Sequence, residues 1–115
     1  MKTNYIYHIF EGSPDLGTLQ QNEEYAPAGW EAEGFIHCCT ESQILPTLHK
    51  WFEGKTQVQA MRLKVAELKS EVKFEDLYNH GAEFPHIYGV INTSAAESII
   101  EFKRNEKGDF QQTEQ

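Results

Sequence analysis

Gly34-Phe35-Ile36-His37-Cys38-Cys39-Thr40-Glu41-Ser42-Gln43 holds the one clear passage from strand to helix in the 115-residue chain. Gly34 to Cys39, with Phe35 and Ile36 at its start, reads as a strand. Thr40-Glu41-Ser42-Gln43 has the spacing of a capping box, with glutamine three residues after the cap. Ile44, Leu45, Leu48, Trp51 and Phe52 then recur at helical spacing, and Gly54 marks the stop. Pro46 lies inside this pattern and predicts a kink or a split in two.

Working outward, the other elements are mostly strands. Tyr5-Ile6-Tyr7-His8-Ile9-Phe10 reads as a strand, with Tyr5, Tyr7 and Ile9 on one face and Ile6, His8 and Phe10 on the other. Gly12-Ser13-Pro14 ends it. A long polar connection follows over residues 13–33, with a helical turn near Leu16 to Gln21; a connection of this length often lies over a functional site. Thr56 to Val65 is the third strand, with Val58, Ala60, Arg62 and Lys64 opposite Gln59, Met61, Leu63 and Val65. Ala66 to Ser70 reads as a helical turn, Val72 to Glu75 as a short strand and Asp76 to Ala82 as a polar loop. Phe84-Pro85-His86-Ile87-Tyr88-Gly89-Val90 is strand-like, its proline suited to a strand start, an edge or a bulge. Thr93 or Ser94 caps a turn into Ile99 to Phe102, and Asn105 to Asp109 turns the chain into a hairpin with Phe110. About six strands, one main helix and short helical turns do not alternate regularly. That predicts an α+β fold and excludes a doubly wound parallel sheet. Residues 1–110 form one domain, and the polar residues 111–115 are expected to fray.

Composition bounds the function. A chain of 115 residues buries roughly 65% of its unfolded surface, enough for one core. Its 18 acidic and 10 basic residues give a net charge of -8. Between Thr3 and His49 there are seven acids and no lysine or arginine, and Phe74 to Phe102 is again free of both. Long nucleic acids need clustered cations, so they are excluded as partners. A small phosphorylated ligand stays open, because backbone N–H groups and one or two cations can hold it. No apolar run is long enough to cross a membrane and no signal-like segment opens the sequence, so a cytoplasmic protein is expected. Cys38 and Cys39 are adjacent, which strains any disulfide between them; they read as free thiols of a reducing compartment.

Five histidines are present. His49 falls on the polar side of the helix, and His80, beside Gly81, reads as a turn residue. His8, His37 and His86 sit in strand-like, aromatic surroundings. A lone strand histidine is usually a core residue satisfied by a carbonyl. Three of them on neighbouring strands would converge on one pocket suited to a polar or aromatic small ligand. No HExxH, HxH or Cys/His knuckle is present, so no metal is expected. No Ser-His-Asp motif, Walker loop or GxGxxG appears. Glu75 and Glu83 are the acid candidates, able to fix a histidine tautomer or to stabilise positive charge developing at a sugar carbon.

Tyr7-His8-Ile9, then Gly34 to Cys38 followed by Thr40-Glu41-x-Gln43, then Phe74-Glu75-Asp76-Leu77 with Phe84 to Gly89, resemble the small, mainly bacterial family called domain of unknown function 952. The resemblance covers nearly the whole chain. It implies a fold similar to the ADP-ribosyltransferases: a split, strongly bent antiparallel sheet pair around an NAD-binding cleft lined by His8, His37 and the Phe84–Tyr88 segment. By that resemblance His8 orients the nicotinamide ribose. The aromatics near His8 and Tyr88 hold nicotinamide, with Tyr7 and Thr40 among the NAD-contacting residues. His37, or the Cys38-Cys39-Thr40 stretch, takes the second position, and His86 takes the late one in place of Glu75 or Glu83. The implied reaction is glycosidic C–N cleavage with transfer to an acceptor. A non-catalytic small-ligand module is the alternative, and a hydrolase using three histidines on a metal is the third reading.

Overall fold

A computed structural model describes residues 4–12, 15–77, 79 and 81–113. The expected turns at Ser13-Pro14 and at His80 lie outside the described residues. In chain order the elements are β1 (Tyr5–Phe10), α1 (Leu16–Leu19), β2 (Glu24–Tyr25), α2 (Trp30–Glu33), β3 (Ile36–His37), α3 (Ile44–Trp51), β4 (Gln57–Lys64), β5 (Glu71–Glu75), β6 (Phe84–Tyr88), β7 (Ile91–Asn92), β8 (Ala96–Arg104) and β9 (Phe110–Thr113). Short 3-10 turns at Glu41–Gln43, Val65–Glu67 and Thr93–Ala95 link some of them. The class is α+β, with antiparallel pairing throughout. A four-stranded sheet runs β1-β4-β8-β9, a three-stranded one β3-β6-β5, and β2 pairs with β7. Among the described residues no helix is long and apolar enough to cross a membrane.

The large sheet is covered on both faces, which is why its strands alternate two sets of apolar residues rather than apolar with polar. Ile6, Phe10, Met61, Leu63 and Ile99 pack with Ile36 and Ile87 of the smaller sheet and with Ile91. On the opposite face Tyr7, Val58, Ala60 and Phe102 pack under Ile44 and Leu48 of α3. The predicted faces of β1 and β4 are therefore the observed ones. Each fully buried aliphatic side chain contributes about 1.5–3 kcal/mol.

Three features differ from the sequence reading. Pro46 neither kinks nor splits α3: the 3-10 turn ends at Gln43 and the α-helix starts at Ile44, so Pro46 falls in its first turn, where its missing N–H is no loss. Of the tail expected to fray over residues 111–115, Gln111, Gln112 and Thr113 are instead paired, continuing β9 against Lys103, Phe102 and Glu101, and the last two residues lie outside the described ones. Phe110, 4% exposed, anchors that strand in the core. The strand read across residues 34–39 is broken up: Ile36 and His37 pair with Ile87 and His86, and Cys39 then exchanges two hydrogen bonds with Tyr7, both 2.8 Å. One extended segment thus crosses from the small sheet to the edge of the large one. That crossing opens the hollow described next.

Candidate functional site

A cavity of about 700 Å³ lies where the edge of β1, the 27–39 segment, α3 and β6 meet. His8, His37 and His86 all line it. β1 supplies His8, 5% exposed, and the antiparallel register sets His37 directly opposite His86. The rings of His37 and His86 meet edge to face, with centroids 5.4 Å apart.

The partner of each ring fixes its tautomer. His8 Nδ1 lies 2.8 Å from the carbonyl oxygen of His37, which only accepts, so Nδ1 carries the proton. His8 Nε2 is then a bare acceptor, sealed from solvent and without a hydrogen-bond partner. Burial, the main cause, lowers the pKa of His8 to about 4, so it is neutral at pH 7. His37 Nε2 donates to Glu33 Oε2 at 2.8 Å, across one turn of chain. His86 Nδ1 donates to Glu75 Oε1 at 3.1 Å, and the Tyr88 hydroxyl donates to the same oxygen at 2.5 Å.

Aromatic rings make up much of the wall. Phe35 stacks on His86 at 4.2 Å and meets the edge of His37 at 5.0 Å. Trp30, Trp51, Phe52 and Phe84 complete it, Trp51 at the rim with 63% of its surface exposed. Among the described lining residues Glu33 is the one acid, and lysine and arginine are missing.

Of the residues expected at the site, Tyr7 joins the three histidines in the lining, and Thr40 and Tyr88 do not. Thr40 instead caps the turn before α3, its N–H donating to Gln43 Oε1 at 2.9 Å, and it borders a smaller hollow with Tyr5, Tyr7 and Glu41. Tyr88 stands behind His86 and holds Glu75. Neither Glu75 nor Glu83 lines the cavity, and the Glu83 carbonyl accepts from Gln43 Nε2 at 2.8 Å. Among the described residues no three His, Cys, Asp or Glu side chains are grouped to hold an ion.

Residues 12–99 match the family described as "protein of unknown function (DUF952)". The chain belongs to this family. The solved structure of protein CC0527 from Caulobacter crescentus, by X-ray crystallography, superposes with a TM-score of 0.74 at 25% identity over 93% of both chains. The solution NMR structure of CC0527 gives 0.64 at 23% identity, over 91% of this chain and 90% of the other. No curated protein matches.

For this DUF952 member, sequence reasoning placed the Phe84–Tyr88 segment at the cleft but missed Glu33 and the aromatic residues Trp30, Trp51 and Phe52. The signal available was the i, i+4 spacing of Glu33 and His37, with Gly29 and Gly34 bracketing a one-turn helix. Cys38 and Cys39 belong to the cavity wall but are almost fully buried, 6% and 2% exposed. Burial raises the thiol of Cys39 to about 12 and that of Cys38 well above its ordinary value, despite a hydrogen bond between Cys39 and Thr47. A disulfide-exchange reagent at pH 8 is therefore expected to label neither thiol in the native protein and both after unfolding in urea. Rapid labelling of the native chain would contradict the packing.

Proposed function

We propose that the cavity binds the nicotinamide-ribosyl end of NAD or of a related nucleotide, for transfer of the ribosyl group to an acceptor on an ADP-ribosyltransferase-like fold. The observation that carries this reading is the convergence of His8, His37 and His86 on one aromatic-walled cavity. Imidazole rings offer both donors and acceptors, which suits a carboxamide or a ribose hydroxyl.

The wall supports the same ligand class. Trp30, Phe35 and Phe84 give it aromatic surface for a planar ring, and the carboxylate of Glu33, hydrogen-bonded to His37, suits the positive charge of an oxidised nicotinamide. The diphosphate meets no cationic side chain among the described lining residues, so it extends past the mouth beside Trp51. NAD, when bound, supplies the activated C–N bond. The chain supplies an electrostatic setting for an oxocarbenium-like state, with Glu33 as its negative charge.

A non-catalytic binding module is the second reading. The position of Glu75 and Glu83 outside the lining favours it. The metal-dependent hydrolase lacks a ligand group among the described residues.

Calorimetric titration with NAD tests the binding. Loss of the His8 ring from the cavity wall in His8→Ala is expected to weaken binding by about tenfold or more, the worth of one hydrogen bond or ring contact. Unchanged affinity in that variant refutes the reading, and a parent protein that ignores NAD removes its support.

A further inference from the structure

His86 is held far more tightly than a core histidine requires. His8 shows the simpler solution, one ring nitrogen on one backbone carbonyl. His86 instead has a carboxylate on Nδ1, and that carboxylate is itself held by a tyrosine hydroxyl. The register explains how. Lys73 lies opposite His86 and Glu75 opposite Phe84, so Glu75, His86 and Tyr88 share one face of the small sheet. Lys73 extends over the Tyr88 ring at 4.8 Å. On the cavity side Phe35 covers one face of the imidazole and His37 meets it edge-on. Tilt and tautomer are both set.

The Tyr88 hydroxyl first, then His86, keeps the Glu75 carboxyl below its ordinary range, so Glu75 accepts and does not donate. The proton of neutral His86 therefore sits on Nδ1, and Nε2 carries a lone pair. His86 is 2% exposed, and it lines the cavity. A lone pair on an imidazole that lines a ligand cavity and is oriented by a carboxylate is the arrangement of a general base.

We propose that His86 is the general base of this site, accepting through Nε2 the proton of a hydroxyl-bearing acceptor, with Glu75 and Tyr88 as positioning residues. The proposal rests on the nicotinamide-ribosyl reading of the cavity. In the step, the acceptor O–H breaks and its proton passes to Nε2. The oxygen bonds to the anomeric carbon of the ribosyl group. The C–N bond to the nicotinamide ring breaks, its electron pair returning to the ring nitrogen, and nicotinamide leaves neutral. The positive charge of the pyridinium ends as an imidazolium on His86, paired with Glu75, and is shed to water. Nothing is oxidised or reduced. Water is the smallest acceptor of this class.

The test uses the full chain, NAD and water. Nicotinamide release is followed by chromatography, NAD affinity by calorimetry, and ring tautomers by 15N NMR. His86→Asn keeps an N–H for Glu75 and removes the base. Release is expected to fall about 100-fold or more, the usual worth of a general base, with NAD affinity within threefold. Tyr88→Phe is expected to lower kcat at unchanged KM. In the parent at pH 7 the spectrum is expected to show His86 protonated on Nδ1, and in Glu75→Gln a mixture of tautomers. Undiminished release by His86→Asn overturns the proposal, as does a parent His86 protonated on Nε2. A parent that binds NAD without releasing nicotinamide overturns the base and leaves the binding reading standing. A parent that does not bind NAD overturns that reading, and this step with it.

Discussion

Replacing Gly89 by alanine is expected to destabilise the chain by about 3 kcal/mol, summing backbone strain and overpacking. Gly89 follows β6 with φ +151, a conformation that residues with a side chain rarely adopt. A Cβ there would lie 2.4 Å from Ser70 Oγ and 2.9 Å from Ser70 Cβ. Ser70 cannot simply rotate away without loss, because its hydroxyl donates to the Val90 carbonyl at 2.7 Å. The close approach follows from the pairing: Glu71 lies opposite Tyr88, so Ser70 and Gly89 are the next residues out from that pair. Urea unfolding at pH 7 measures the loss. Adding Ser70→Gly removes the steric share and leaves the share due to φ, so the double variant should recover only part of the stability. An alanine variant within 0.5 kcal/mol of the parent, well below the strain and overpacking expected, would show that the backbone relaxes freely at this corner. That outcome would also weaken the argument for a rigid His86, since Glu75, His86 and Tyr88 all sit on the two strands that meet here.

This corner shows what a sequence can and cannot carry. The Phe84–Val90 stretch announces a strand by its aromatics and β-branched residues, but the strand ends at Tyr88, because Gly89 takes a positive φ that the sequence reading does not foresee. The alternation of Tyr5, Tyr7 and Ile9 against Ile6, His8 and Phe10 was legible because β1 is buried on both faces. Its meeting with Cys39 was not, since a single isolated bridge leaves no periodicity. The two-residue strands β2 and β7 are hidden for the same reason. At the site, the histidines stood out by their aromatic neighbours. Their carboxylate partners depend on cross-strand diagonals and on one turn of helix, which is why Glu75 emerged as a general candidate and Glu33 did not emerge at all. Thr40 reads both as a capping residue and, by resemblance, as an NAD contact; the cap is found, and Thr40 does not line the cavity. Tyr88 drew attention for a ring whose hydroxyl is committed to Glu75. Most of the cavity lining comes from residues 3–49, a stretch without lysine or arginine, and among the described residues the lining has no lysine or arginine.

Lowering the pH from 7 to 4 is expected to remove about 3 kcal/mol of stability through His8 alone. The folded pKa is about 4 against 6.5 for the free side chain. Between those values the unfolded chain binds a proton that the native chain refuses, so stability falls as pH falls. His8 contributes no slope above the upper value or below the lower one. The carboxylates act in a different window: Glu75, held low by Tyr88 and His86, and Asp15, held low by the Thr18 N–H, lose their contribution only as pH drops below the ordinary carboxylate range. His8→Phe, whose ring can lie between Phe10 and Tyr25, removes the titration. Urea unfolding of both proteins from pH 7 to 4.5 should then give a sloping line for the parent and a nearly flat one for the variant. Equal slopes would mean that His8 is not held neutral. The proton that His8 takes up on acidification goes to Nε2, an atom sealed from solvent and without a hydrogen-bond partner, which is why burial holds the ring neutral.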